Sequence, residues 1–216
     1  VSYQDWPVIQ KAGLVPAMTP GAGGIADGWN RKENHDKLEK QMRENIERAA
    51  AAKVPNVITF SGNRKGMADE EAKDNCVAGL NRVKKVAEDA GITINIELLN
   101  SKVDHKDYQC DHTAWGVDVC KRIGSPRVKL LYDIYHMQIM EGDVIRTIRD
   151  NIQYIGHFHT GGVPGRHELD GTQELNWKTI AAAIADLNYT GYFAHEFVPV
   201  RDPMASLEEA VKICTV

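Results

Sequence analysis

A chain of 216 residues, 43% hydrophobic and 26% charged, suffices for one domain around a single core and lacks the composition of a disordered segment. Its 26 basic residues against 30 acidic ones give a formal net charge of −4, and no Lys/Arg cluster interleaves with aromatics, which speaks against a nucleic-acid partner. No apolar run approaches the ~20 residues of a spanning helix, so no membrane partner is expected either.

Strand-like and helical stretches alternate along the chain. Residues 14–19 (LVPAMT) read as a short strand, followed by the Gly-rich loop GAGGIADGW. Residues 34–52 read as a helix with Asn34 as N-cap and Leu38, Met42 and Ile46 as its inner stripe. NVITF (56–60) is the next strand, and SGNRKG its loop. Residues 69–90 read as one helix, capped by Asp69 and stopped by Gly91, with Leu80, Val83 and Ala87 inward. ITINIEL (92–98) is a strand, 113–123 a helix ended by Gly124, VKLLYD (128–133) a strand and 143–151 a helix. IGHFH (155–159) is a strand, 177–187 a helix, YFAHE (192–196) a strand, and 206–214 a closing helix. Residues 1–3 could end a seventh strand.

This alternation implies an α/β fold with a mostly parallel sheet, either doubly wound or closed into a barrel. No GxGxxG follows the first strand, which disfavours a dinucleotide-binding sheet. A full (β/α) TIM-type barrel needs eight strands. Read as a barrel, residues 1–216 form one partial domain lacking the first β/α unit and most of the second strand. Such a sheet has open edges, which predict a homodimer or higher oligomer that could exchange strands to cover them. Cys76, Cys110, Cys120 and Cys214 match no metal-binding spacing and read as free thiols. With no signal peptide visible, the expected setting is cytoplasmic.

The chemistry lies in where polar residues fall. Glu97, Asp133, the pair His157 and His159, and Glu196 stand at or near the C-terminal tips of four different strands. In a parallel barrel these tips converge on one mouth. Two Glu, one Asp and one His suit a divalent ion, Mg²⁺ or Mn²⁺ first, with Co²⁺, Ni²⁺ or Zn²⁺ as further candidates. Asn63 follows NVITF and could bond substrate hydroxyls; Lys102, with Asp104 and His105, lies in the loop after Glu97 and could reach the mouth. His157 is expected to point to the opposite face from His159, and His195 away from the mouth.

The segments ELLNSK, YDIYHMQ, GHFHTGGVPGRHELD and HEFVP resemble the hydroxypyruvate isomerase-like branch of the xylose isomerase-like barrel superfamily, which also includes ketose 3-epimerases and family-2 abasic-site endonucleases. GVPGRHE is the segment most specific to that branch. The resemblance implies a TIM-type barrel and four metal ligands, Glu97, Asp133, His159 and Glu196, with Glu97 and Glu196 as the acid/base pair. It further implies that His136 contacts a substrate oxygen and that Arg166 binds the substrate or its carboxylate. His159 stands where some hydroxypyruvate isomerases carry Gln, which draws the ligand set toward the epimerases.

The implied activity is an isomerase of carbohydrate metabolism, of the aldose–ketose or 3-epimerase type. It would act on a small sugar or keto acid, such as hydroxypyruvate or a ketose, by proton transfer through a cis-enediolate. Endonuclease chemistry is disfavoured by the acidic balance and the few strand-end histidines. The remaining alternative is a truncated, non-catalytic barrel that binds metal or sugar as an oligomer.

Overall fold

The computed structural model describes residues 2–216. Helix α1 (Trp6–Lys11) leads into β1 (Thr19–Ala22), α2 (His35–Ala51), β2 (Asn56–Thr59), α3 (Asp69–Asn81), α4 (Lys84–Ala90) and β3 (Thr93–Glu97). Then follow α5 (Thr113–Ile123), β4 (Val128–Asp133), α6 (Ile134–Met140), α7 (Val144–Asn151), β5 (Ile155–Thr160), α8 (Trp177–Ala185), β6 (Phe193–His195) and α9 (Pro203–Cys214). The six strands form one sheet in the order β1-β2-β3-β4-β5-β6, and every pair is parallel. Among the described residues β1 and β6 are its edges and no ladder joins them, so the sheet is a partial barrel.

Period-two alternation divides each strand between two environments. On β3, Ile94 and Ile96 face the helices and join the main apolar core, as do Leu130 and Tyr132 on β4. The alternate residues Thr93, Asn95 and Glu97 face the barrel interior, whose floor is polar: Asn95 Nδ2 donates to Asn56 Oδ1 at 3.2 Å. Outside, α2 seats Leu38, Met42, Ile46 and Ala49 in the core, a stripe of three- and four-residue steps. Burying each large side chain of that stripe contributes roughly 1.5–3 kcal/mol.

At the mouth, the loops after β1 and β2 lie against each other. Trp29 N and Asn30 N donate to Phe60 O (3.3 Å) and Ser61 O (2.8 Å). A Cβ at Gly28 would stand 2.3 Å from Phe60 O, so only glycine permits this approach.

Several local expectations need correction. The first strand is not 14–19 but Thr19–Ala22: Leu14 and Val15 are exposed, and the ladder pairs Thr19, Pro20 and Ala22, with a register shift at Gly21. An edge strand can hold a proline because one side of it needs no ladder bond. The helix expected over 69–90 is two helices. Arg82 N and Val83 N make tight bonds to Gly79 O and Leu80 O, while Arg82 O accepts from Arg43 instead of continuing the helix. Asn34 does not cap α2; it ends a short 3₁₀ turn, and its amide donates to Gly28 O. Asp69 is the first residue of α3, and its carboxylate takes Arg64 and Gln109. Tyr3 sits in a turn, so the suggested seventh strand is absent there, and Val1 lies outside the described residues. Helices α1 and α6 were not anticipated.

Candidate metal centre

Glu97 and Asp133 are the last residues of β3 and β4, His159 is next to last on β5, and Glu196 directly follows β6. Asp133 pairs in register with His159, and His159 with Ala194. One ligand atom from each of Glu97, Asp133, His159 and Glu196 lies within 4.8 Å of every other. His159 Nδ1 stands 2.9 Å from Glu196 Oε2, 3.5 Å from Glu97 Oε1 and 3.8 Å from Asp133 Oδ2.

Three of the four are buried, with Asp133 at 0% exposure, while the Glu196 side chain is 53% exposed. Burial pushes the Glu97 carboxyl up to about 7, partly countered by His159. Burial would also raise Asp133 and Glu196, but their neighbours outweigh it: the His136 ring and the Arg166 guanidinium at Asp133, His159 and Arg166 at Glu196. Both carboxyls therefore sit below their ordinary range. For His159, burial alone would lower the pKa, yet the attraction of Glu196 and Glu97 lifts it to about 10.

Arg166 closes the site from the side. Its guanidinium donates to Asp133 Oδ2 at 2.6 Å and Oδ1 at 3.3 Å, and also reaches Glu196 Oε2. It stacks on the Tyr135 ring at 4.8 Å. Arg166 has φ +58°, a left-handed backbone that costs a non-glycine residue about 1 kcal/mol or more. Its carbonyl is held by Val198 N at 2.6 Å, which fixes that turn.

His136 owes its place to Asp133. That carboxylate caps α6 by accepting from His136 N at 3.2 Å, and His136 Nε2 lies 4.0 Å from Asp133 Oδ2. Burial pushes the His136 ring down to about 4. His136, Arg166, Glu97 and Glu196 together line a cleft of about 560 Å³, with Asp104, His105 and Tyr135 on its rim. A larger cleft of about 950 Å³ lies between the outer faces of α3, α5 and α7, where paired surface charges such as Lys73–Asp118 line it and none of the four donors is present.

Two expected contacts are elsewhere. Lys102 does not line the cleft; its ammonium caps the C-terminus of α6 by donating to Ile139 O (2.9 Å) and Met140 O (2.8 Å). Asn63 is also off the cleft, bridged to Tyr108 and accepting through its carbonyl from Asn30 and Arg31. His157 does not face away from His159. Residues two apart on a strand share a face, and the rings meet edge-on at 5.1 Å, with His157 fully buried one layer deeper. His195, one residue from Glu196, does turn aside, to Thr160 Oγ1 at 2.9 Å. Sequence reasoning missed Asn100 and Tyr135, which hold the rim; the only available signal was their spacing, three residues after Glu97 and two after Asp133.

The donor set fits a divalent ion. Three carboxylates crowd one small volume, and the buried His159 Nδ1 has no hydrogen bond, because its short approach to Glu196 is off the hydrogen-bonding direction. An imidazole nitrogen aimed among carboxylates is the arrangement a cation resolves.

Comparison with known proteins follows the same line. Residues 8–214 match the family model described as "Xylose isomerase-like TIM barrel". A protein of Danio rerio provisionally named hydroxypyruvate isomerase is 30% identical over 138 residues, 64% of this chain and 50% of that protein. The 2-oxo-tetronate isomerase of Cupriavidus necator is 36% identical over 117 residues, 54% of this chain and 44% of that protein. The chain thus spans about half the length of these curated relatives. The fold of D-psicose 3-epimerase from Clostridium cellulolyticum, solved with D-tagatose, superposes with a TM-score of 0.79 at 19% identity, covering 100% of this chain and 88% of that one. The chain belongs to the xylose isomerase-like TIM barrel family.

Proposed function

We propose that this chain carries the active centre of a metal-dependent isomerase or epimerase acting on a small hydroxy-carbonyl substrate. The supporting observation is the convergence of four donor atoms from four strands within 4.8 Å, at the mouth of a cleft of about 560 Å³. Glu97, Asp133, His159 and Glu196 would hold the ion, Mg²⁺ or Mn²⁺ by their oxygen-rich character. Bound there, it would supply Lewis-acid polarisation of two adjacent substrate oxygens. The relatives' names support a substrate of the class of hydroxypyruvate, 2-oxo-tetronate or a ketose such as D-psicose.

Glu97 ends β3 and Glu196 follows β6, with β4 and β5 between them, so they approach a substrate from different sides. One carboxylate takes the proton from the carbon that bears the hydroxyl beside the carbonyl. The electron pair left behind forms a cis-enediolate. Returning the proton to the neighbouring carbon, as the hydroxyl proton passes to the former carbonyl oxygen, gives the isomer; delivery to the original carbon from the other side by the second glutamate gives the epimer. His136 donates to a substrate oxygen, and Arg166 holds a carboxylate or distal hydroxyl.

The test is proton–deuterium exchange by NMR, in D₂O with Mg²⁺ or Mn²⁺ and a panel of hydroxypyruvate, 2-oxo-tetronate, D-psicose and D-fructose. Exchange at the carbon beside the carbonyl in one compound supports the enediolate route; none in any compound refutes it. The unpaired edges β1 and β6 favour one other reading, a non-catalytic metal- or sugar-binding oligomer. A metal-dependent rise in melting temperature without exchange would support that reading.

A further inference from the structure

What His136 can do to a substrate depends on which ring nitrogen carries its proton, and the neighbouring side chains decide that. Its Nδ1 lies 2.7 Å from Asn100 Nδ2. The Asn100 amide has one orientation only. Its Oδ1 accepts from Val103 N at 3.0 Å and Asp104 N at 2.9 Å, and backbone N–H groups can only donate, so that atom is the oxygen. The atom facing His136 is therefore the NH₂ group. One of its hydrogens goes to Asp104 Oδ2 at 2.7 Å and the other to the ring. An amide nitrogen cannot accept, so Nδ1 must be the bare, accepting nitrogen, and the ring proton lies on Nε2. That atom lies 4.0 Å from Asp133 Oδ2, on the side of the candidate ligands, and His136 lines the cleft.

The support behind Asn100 is itself fixed. Asn100 is fully buried in the turn that leaves β3. Asp104 Oδ2, which takes one Asn100 hydrogen, also accepts from Tyr135 Oη at 2.8 Å, and the Tyr135 ring carries the Arg166 guanidinium. The turn after Glu97 thus sets His136 and helps place Arg166.

We propose that Asn100 is a positioning residue that locks His136 as the Nε2–H tautomer, so that the cleft presents a neutral hydrogen-bond donor rather than a base to a substrate oxygen. The role of that donor rests on the isomerase reading; the tautomer does not. As a C–H proton leaves, charge grows on the adjacent carbonyl oxygen, and a donor already in place stabilises it without reorganisation. The opposite tautomer would aim a lone pair at that oxygen. His136 keeps its proton throughout, and both proton transfers at carbon stay with the glutamates.

The experiment is a two-bond ¹H–¹⁵N spectrum of ¹⁵N-histidine-labelled protein, with and without Mg²⁺, with His136 assigned by its disappearance in His136→Gln. The expected pattern is Nε2 protonated and Nδ1 bare. Asn100→Asp keeps an oxygen for the two backbone N–H groups but places an acceptor against Nδ1. It should move the proton onto Nδ1 and lower kcat by about 10²- to 10³-fold, with KM changed far less, on whichever of hydroxypyruvate, 2-oxo-tetronate or D-psicose exchanges deuterium. If Asn100→Asp does not fold, Asn100→Ser and the unsubstituted protein's spectrum decide. A protonated Nδ1 in the unsubstituted protein, or an unchanged pattern in a folded Asn100 variant, overturns the lock. The expected spectra with no exchange in any compound would uphold the lock while removing the isomerase reading.

Discussion

The four donors of the candidate centre are held in two different ways. Glu97, Asp133 and His159 ride on β3, β4 and β5, adjacent strands joined by parallel ladders, with one register shift at Leu130/Leu131 below the paired tips, and all three are buried. Glu196 follows β6, a three-residue edge strand of only partly buried residues, and stays half exposed. What holds it is a clasp from the loop after β5. Arg166 O takes Val198 N, His167 Nδ1 meets Val198 O at 2.9 Å, and Glu168 accepts from Val200 N, Arg201 N and Ser206 Oγ at 2.9–3.0 Å. The sheet builds three-quarters of the centre, and the GRHE loop supplies the last quarter. Adjacent strands impose geometry through the ladder, whereas an edge strand must be fixed by side chains.

The strongest test of the sheet-held part is Glu97→Gln. It keeps shape and volume but removes the base, so exchange should fall by roughly 10²- to 10⁴-fold while the melting temperature changes little. Normal exchange in that variant would end the assignment. On the loop-held side, Glu168→Ala leaves three donors without their acceptor and frees the segment after Glu196. Titration calorimetry should show Mg²⁺ or Mn²⁺ binding weakened by about 10- to 100-fold, with β3 to β5 intact by circular dichroism. Unchanged affinity would show that β6 needs no clasp.

A pH series sharpens the same contrast. Burial alone would raise the Glu168 carboxyl, but the bonds from Arg201 N, Ser206 Oγ and Val200 N outweigh it and hold it at about 2, against an ordinary 4.5. As pH falls, the unfolded chain takes up this proton first. The contribution of Glu168 is full above about pH 4.5 and is lost between there and about 2. Denaturant midpoints between pH 6 and 2 should fall less steeply in Glu168→Gln than in the unsubstituted protein; parallel curves would refute the clasp. The smallest effect belongs to Lys102→Ala, which removes two bonds at the C-terminus of α6. It should cost about 0.3–1 kcal/mol by denaturant unfolding and leave KM unaltered. A raised KM would return Lys102 to the substrate.

Much of this was legible beforehand because alternation and strand tips are local properties. β4 was read with its true bounds, and the four strand tips were singled out by position, with Glu97, Asp133, His159 and Glu196 as the ligands that the family resemblance implied. Where reading failed, a non-local partner decided the outcome. β1 is hidden in TPGA because an edge strand tolerates residues that a central strand rejects. Lys102 is drawn from the mouth by the free carbonyls of α6, a helix capped by Asp133. Asn100 was not singled out because its value lies in the orientation of an amide, which no spacing encodes. His157 was misjudged through the alternation rule itself, which places residues two apart on the same side.

The pairing of Asp133 with His159 also bears on which length changes the chain can accept. Deleting one residue within β4 would turn Asp133 toward the helices, where Tyr132 now packs, and bring the ring into the mouth. Insertions and deletions among relatives that keep this chemistry should therefore fall in the loops and avoid the interiors of β3, β4 and β5, a pattern that sequence variation alone can reveal.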